Sequence, residues 1–162
     1  MNPLPDSLTE ELGSVLERGR TLLMGIGNIL RGDDAFGPEL VSRLGDSPLA
    51  LIDAGTTPEN QIGPAARLGP RTVLLADAVL MESEPGTCRL LGRDEILSDT
   101  GFTTHDQSPA LFMERLEKDT GAEVLMLAVQ PERLEFGAPL SARVEETLEA
   151  LAALLRGAPS GG

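Results

Sequence analysis

A few side chains able to do acid–base or metal chemistry fall just after apolar strand-like runs or open the helices that follow: Asn28 with the pair Asp33-Asp34, Asp53, Asp77, and His105 in the loop Thr103-Thr104-His105-Asp106. Two carboxylates and one imidazole suit a divalent metal with open coordination positions, such as zinc or nickel. The open position matters because water or a substrate ligand must reach the ion. His105 is the only histidine and Cys88 the only cysteine. Imidazole therefore has one source, and neither an internal disulfide nor a cysteine-based zinc cluster is available. Ordinary roles compete at most of these positions. Asp33 or Asp34 could cap the helix that follows, Asp53 could shape a turn before Ala54-Gly55, and His105 alone reads as a loop histidine. Cys88 reads as a small buried apolar group. Asp77 resists a bland reading: it closes the apolar strand Thr72 to Ala76, where a carboxylate without a partner is costly.

The elements that must position these groups follow from periodicity. Ser7 to Arg20 reads as a helix, with Ser7 and Glu10 as a capping box and Leu8, Leu12, Val15 and Leu16 on one face. Strands are expected at Thr21 to Ile26, Leu49 to Asp53, Thr72 to Ala76, Thr87 to Leu91 and Glu123 to Val129, the fourth as an edge or hairpin strand. The Val-Leu-Leu-Ala run at 73–76 lacks alternation, as a strand covered on both faces should. Helices are expected near Ala35 to Leu44, with Pro38 in its first turn, and from Pro58 to Leu68, distorted at Gly63-Pro64. Another runs from Ser108-Pro109 to Asp119, closed by Gly121, and a last one is capped by Ser141, with Val144, Leu148, Leu151 and Leu155 inward. Strands alternating with helices predict an α/β three-layer fold: a central twisted, mostly parallel five-stranded sheet between helices. In such sheets ligands bind outside the C-terminal ends of the strands, where the polar groups above fall. Residues 1–20 form a helical extension, 21–157 a single α/β domain, and 158–162 a flexible tail in this reading.

Composition narrows the partners. Lys and Arg total 13 and Asp and Glu 26, a net charge of −13. That balance argues against nucleic acid and against an anionic membrane. With no Trp or Tyr and four Phe, stacking platforms for bases are scarce. No apolar run approaches the roughly 20 residues of a membrane span, and Met1 to Asp6 has no signal-peptide pattern, so a cytoplasmic protein is expected. Gly25-Ile26-Gly27-Asn28-Ile29-Leu30 has Leu where a dinucleotide fingerprint wants Gly or Ala. No P-loop, His-Glu-x-x-His or Gly-x-Ser-x-Gly motif is present.

Four motifs in order carry a family resemblance. The stretch Met24 to Pro38 (Met-Gly-Ile-Gly-Asn-Ile-Leu-Arg-Gly-Asp-Asp-Ala-Phe-Gly-Pro), Asp53-Ala54-Gly55-Thr56-Thr57-Pro58-Glu59-Asn60, Leu75-Ala76-Asp77-Ala78 and Thr103-Thr104-His105 resemble the hydrogenase maturation endopeptidases. They are most similar to the branch that processes hydrogenase 3, of the formate hydrogenlyase type. The resemblance spans about Thr21 to Leu155. It implies a phosphorylase/hydrolase-like sheet and a cytoplasmic protease that acts once on a nickel-iron hydrogenase large-subunit precursor. Members remove a short C-terminal extension after nickel insertion. By this resemblance Asp34, Asp77 and His105 contact the metal, with Asp34 where many relatives have Glu. Asp53 would position the attacking water or hold a loop. The nickel is expected to arrive with the precursor, with zinc or cadmium able to substitute in crystals, and a monomer is expected. The alternative is a nickel-binding assembly factor that holds the precursor without cutting it. Peptidyl-tRNA hydrolase shares the Gly-x-Gly-Asn strand end, but the acidic charge and a histidine 77 residues beyond Asn28 argue against it. Two departures stand out: the extension before Thr21, and Gly63-Pro64 in a segment that is continuous helix in relatives.

Overall fold

The computed structural model describes residues 2–98 and 109–159. Apolar alternation sorts the strands into two faces, and the helices close over each. The strands are β1 (Thr21–Ile26), β2 (Ala50–Gly55), β3 (Thr72–Ala78), β4 (Cys88–Leu91) and β5 (Glu123–Val129). They form one sheet in the order β2-β1-β3-β5-β4, parallel throughout except for β4, which pairs antiparallel with β5 at the edge. This is the α/β architecture expected from the pattern.

Leu23, Leu74, Ala76, Leu127 and Val129 point to one face. There they meet helices α1 (Asp6–Glu17), α2 (Phe36–Ser42) and α6 (Ala142–Arg156). Leu22, Met24, Val73, Leu75, Val124 and Met126 point to the other. That face is covered by α3 (Ile62–Leu68), α4 (Arg93–Ser98) and α5 (Pro109–Thr120). Burying a large aliphatic side chain contributes about 1.5–3 kcal/mol, and the strand centres are buried on both faces, so this sandwich fixes the register. Strand alternation then dictates where polar residues at the strand ends face.

The helix stripes read from the sequence are the buried ones: Leu8, Leu12, Val15 and Leu16 in α1, Phe36, Leu40 and Val41 in α2, and Val144, Leu148, Leu151 and Leu155 in α6. Some local details differ. The α1 N-cap is Pro5, without a side-chain cap bond, so Ser7 lies inside the helix and makes no capping box. Pro5 has no N–H to donate and disfavours helical backbone at Leu4, so the helix does not extend further back, and Asp6 supplies the acidic first turn. Segment 58–68 breaks earlier than Gly63-Pro64: a 3-10 turn, Pro58–Gln61, precedes α3. Gly63 and Pro64 then fall in the first turn of α3, where a missing N–H costs nothing. Helix α4 has no counterpart in the sequence reading.

The start of α2 is seated on bare backbone. A Cβ at Gly37 would lie 2.3 Å from the Ala76 carbonyl oxygen and 2.5 Å from the Ile26 amide nitrogen. A Cβ at Gly25 would lie 2.3 Å from the Gly37 carbonyl oxygen. Glycine is the only residue that lets the helix approach β1 and β3 this closely, and the contact draws the turn ahead of α2 over the sheet edge.

Candidate active site at the C-terminal edge of the sheet

The loops after β1, β3 and β5 meet at one edge. Gly27, with φ of 145°, ends β1, and a Cβ there would sit 1.8 Å from the Asp34 carbonyl oxygen. The 3-10 turn Gly32–Ala35 is thereby packed against the strand end. Within this hairpin-like bend the Asn28 amide donates to Asp34 Oδ2 at 2.8 Å, and Asn28 Oδ1 accepts the Leu30 amide at 2.9 Å. Asn28 thus locks its own loop as an Asx-turn and aims the Asp34 carboxylate. Neither aspartate of the pair caps a helix with its side chain.

Asp77 occupies the last turn of alternation in β3, on the face of Val73 and Leu75. Its carboxyl is only partly accessible to water. Burial first, and then the Asp34 carboxylate, push its pKa well above the ordinary carboxylate range, against a smaller opposing effect of the Ala78 amide. The two acids named by the motif order are therefore electrostatic neighbours, although 43 residues separate them in sequence. Such a pair favours a proton or a cation between its members.

Asp33 does something different from its neighbour. It is fully buried. Its Oδ1 accepts the Ser141 amide at 2.7 Å. Its Oδ2 accepts the Glu132 amide at 2.8 Å, the Arg133 amide at 3.1 Å and the Ser141 hydroxyl at 2.9 Å. One carboxylate thus staples the 130–141 loop to the turn that carries Asp34. Ser141 does stand at the N-cap of α6, but its hydroxyl is spent on Asp33 and makes no cap bond.

Gln130 is a second organiser that sequence reasoning passed over. It is buried, and its Oε1 accepts the Met81 amide at 2.6 Å and the Ser83 amide at 3.4 Å. It therefore anchors the loop that leaves Asp77. The signal that could have found it is the one that singled out Asp77: a polar side chain immediately after an apolar strand.

Asp53 lies at the same edge but on β2, two strands from β3, in register with Gly25. At about 4.8 Å per strand its backbone is roughly 10 Å from that of β3. It is exposed, and its Oδ1 accepts the Gly55 amide at 3.1 Å. The pairing of β1 with β2 slips by one residue just there, a local irregularity common beside functional sites. His105 lies outside the described residues. The chain re-enters at Pro109, the start of α5, which runs back to the N-terminal edge before β5 and so begins at the edge and on the face where Asp77 stands. Among the described residues, no three His, Cys, Asp or Glu side chains form a metal-holding group.

A family model for HycI, hydrogenase maturation protease, matches residues 37–157. The chain belongs to the hydrogenase maturation proteases. It is 32% identical over 139 residues to the hydrogenase 3 maturation protease of Escherichia coli K12, covering 84% of this chain and 88% of that protein. The crystal structure of the HycI protease of Thermococcus kodakarensis superposes with a TM-score of 0.81 at 28% identity, over 90% of this chain and 96% of that one. The HybD endopeptidase of E. coli superposes with a TM-score of 0.65 at 29% identity, over 84% and 90% of the two chains. This member of the family is therefore an endopeptidase of hydrogenase maturation, most similar to the hydrogenase 3 branch. Among its described residues no helix is long and apolar enough to cross a membrane.

Proposed function

We propose that this protease removes the C-terminal extension of a nickel-iron hydrogenase large-subunit precursor after nickel has been inserted. In this reading Asp34, Asp77 and His105 ligate the nickel that the precursor brings. The observation that supports it is the carboxylate pair at the sheet edge, held by Asn28 and by β3, in which burial first and then the Asp34 carboxylate push the pKa of Asp77 up. A dication carried in by the substrate relieves that repulsion, so a loaded precursor is bound where an empty one is not. Metal binding then places the scissile peptide beside the pair. Water adds to the carbonyl carbon and gives up a proton to a carboxylate; the carbon–nitrogen bond breaks and the leaving amine takes a proton. Asp53 would position the attacking water or hold the β2 turn, and the Gly55 amide bonded to its Oδ1 supports the second role. The compartment of this reaction is the cytoplasm, and the working unit is a monomer.

The test is cleavage of nickel-loaded and nickel-free precursor by the purified protein, read by the mass of the product. The loaded form is cut and the empty form is not. Asp34→Ala, Asp77→Ala and His105→Ala each abolish cleavage while circular dichroism stays native. Equal rates on the two precursors would remove the nickel-sensing role, and full processing by His105→Ala would remove the ligand set. An intact precursor in stable complex with the wild type would favour holding over cutting.

A further inference from the structure

Among the described residues, seven large apolar side chains are exposed: Ile29, Leu30, Leu68, Leu80, Leu97, Leu111 and Phe136. Single exposed apolar residues need no explanation, but contiguous ones at a ligand-binding edge do. Four of the seven, Ile29, Leu30, Leu80 and Phe136, sit in the loops that follow β1, β3 and β5, beside the carboxylate pair. Two of those loops are tied together. The Gly137 amide donates to the Leu30 carbonyl at 2.7 Å, and the Gly32 amide donates to the Ala138 carbonyl at 3.1 Å. Phe136, 74% exposed, is therefore held next to Leu30, 54% exposed, with Ile29 adjoining at 65%. These bonds fix the backbone of the two loops relative to each other.

We propose that Ile29, Leu30 and Phe136 form a docking surface for an apolar stretch of the precursor flanking the bond that is cut. This rests on the reading of the carboxylate pair as the cleavage site. The occupant follows from continuity with that site. The Leu30 amide and the Asp34 carboxylate are both bonded to Asn28, so the backbone that carries Leu30 adjoins the turn that carries the carboxylate. An extended peptide rises about 3.3 Å per residue, which lays the side chains two to four residues from the scissile bond across Leu30 and Phe136. The net charge of −13 argues against an anionic lipid surface as the occupant. Two loops from opposite halves of the chain, stapled through Asp33, thus present substrate-facing apolar groups as a single rigid unit.

The experiment is steady-state cleavage of nickel-loaded large-subunit precursor by wild type, Phe136→Ser, Leu30→Ser and Leu68→Ser, the last exposed at the opposite edge of the sheet. Phe136→Ser and Leu30→Ser raise KM by about tenfold and leave kcat within about twofold; Leu68→Ser changes neither. Unchanged KM in Phe136→Ser and Leu30→Ser, with the wild type active, overturns the docking surface and leaves the cleavage site standing. A wild type that never cuts the loaded precursor overturns both. A concentration-dependent dimer in sedimentation velocity, lost in Phe136→Ser, assigns the surface to a second copy of the chain and also overturns the proposal.

Discussion

Replacing Asp33 tests how much of the site is held by one carboxylate. Four hydrogen bonds end on it, from the amides of Glu132, Arg133 and Ser141 and from the Ser141 hydroxyl. Hydrogen bonds to a charged group contribute about 1.5–3 kcal/mol each, but Asp33→Ala does not forfeit their sum. The substitution also removes the desolvation cost of the carboxylate itself. Glu132 is exposed and Arg133 half-buried, so their amides find water, whereas Ser141 is buried and its donors do not. The loss is then set by two stranded donors plus a small cavity, about 3–5 kcal/mol. Asp33→Asn keeps the shape. Its amide group best replaces Oδ1, where it faces one N–H, and leaves an acceptor for the three donors on the other side; this variant loses about 1–3 kcal/mol. For a chain of this size, each kcal/mol lowers Tm by about 2–4 °C. Urea unfolding followed by circular dichroism measures both variants, and a double-mutant cycle with Ser141→Ala yields a coupling of at least about 1 kcal/mol. If Asp33→Ala stays within about 1 kcal/mol of wild type, the staple is not what holds the 130–141 loop.

Two other outcomes follow from the same geometry. Asp77 holds its proton more tightly in the folded protein than in the unfolded chain, so its contribution to stability is complete below the ordinary carboxylate value of 3.8 and is lost as pH rises through the raised one. Asp77→Asn, which never ionises, therefore gains stability over wild type as pH rises above about 4 in metal-free buffer; a pH-independent difference in urea midpoints contradicts the burial and the Asp34 neighbour. Gly37→Ala forces a methyl against the Ala76 carbonyl oxygen at 2.3 Å, so a destabilisation of about 1–3 kcal/mol is expected by thermal unfolding, and a neutral result would mean that α2 is not seated on the sheet backbone.

The layers and the sheet were readable because the apolar strands are long, unbroken and separated by helices with clear stripes; Val73 to Ala76 and Val124 to Val129 leave little freedom. Asp77 was readable for the same reason, as an acid that ends such a run. The division of labour between Asp33 and Asp34 was not. Both lie in one turn, either could cap a helix, and what separates them is a set of partners about a hundred residues away, which no local pattern encodes. Ser7 misled because a capping box needs its serine before the helix, and Pro5 had already taken that place. Helix α4 is six residues long, too short for its periodicity to register. Gln130 opens a loop and carries no local signal of its partners, although its side chain turns back to hold two residues of another loop, Met81 and Ser83.

The staple at Asp33 also has a meaning in time. Its carboxylate leaves the ribosome early, but Glu132, Arg133 and Ser141 are made about a hundred residues later. At about 5–20 residues per second, the acid waits several seconds with nothing to receive it. Until then the turn carrying Asp34 lacks its tie to the 130–141 loop. The edge that carries the carboxylate pair is thus completed only when nearly all of the chain has been translated.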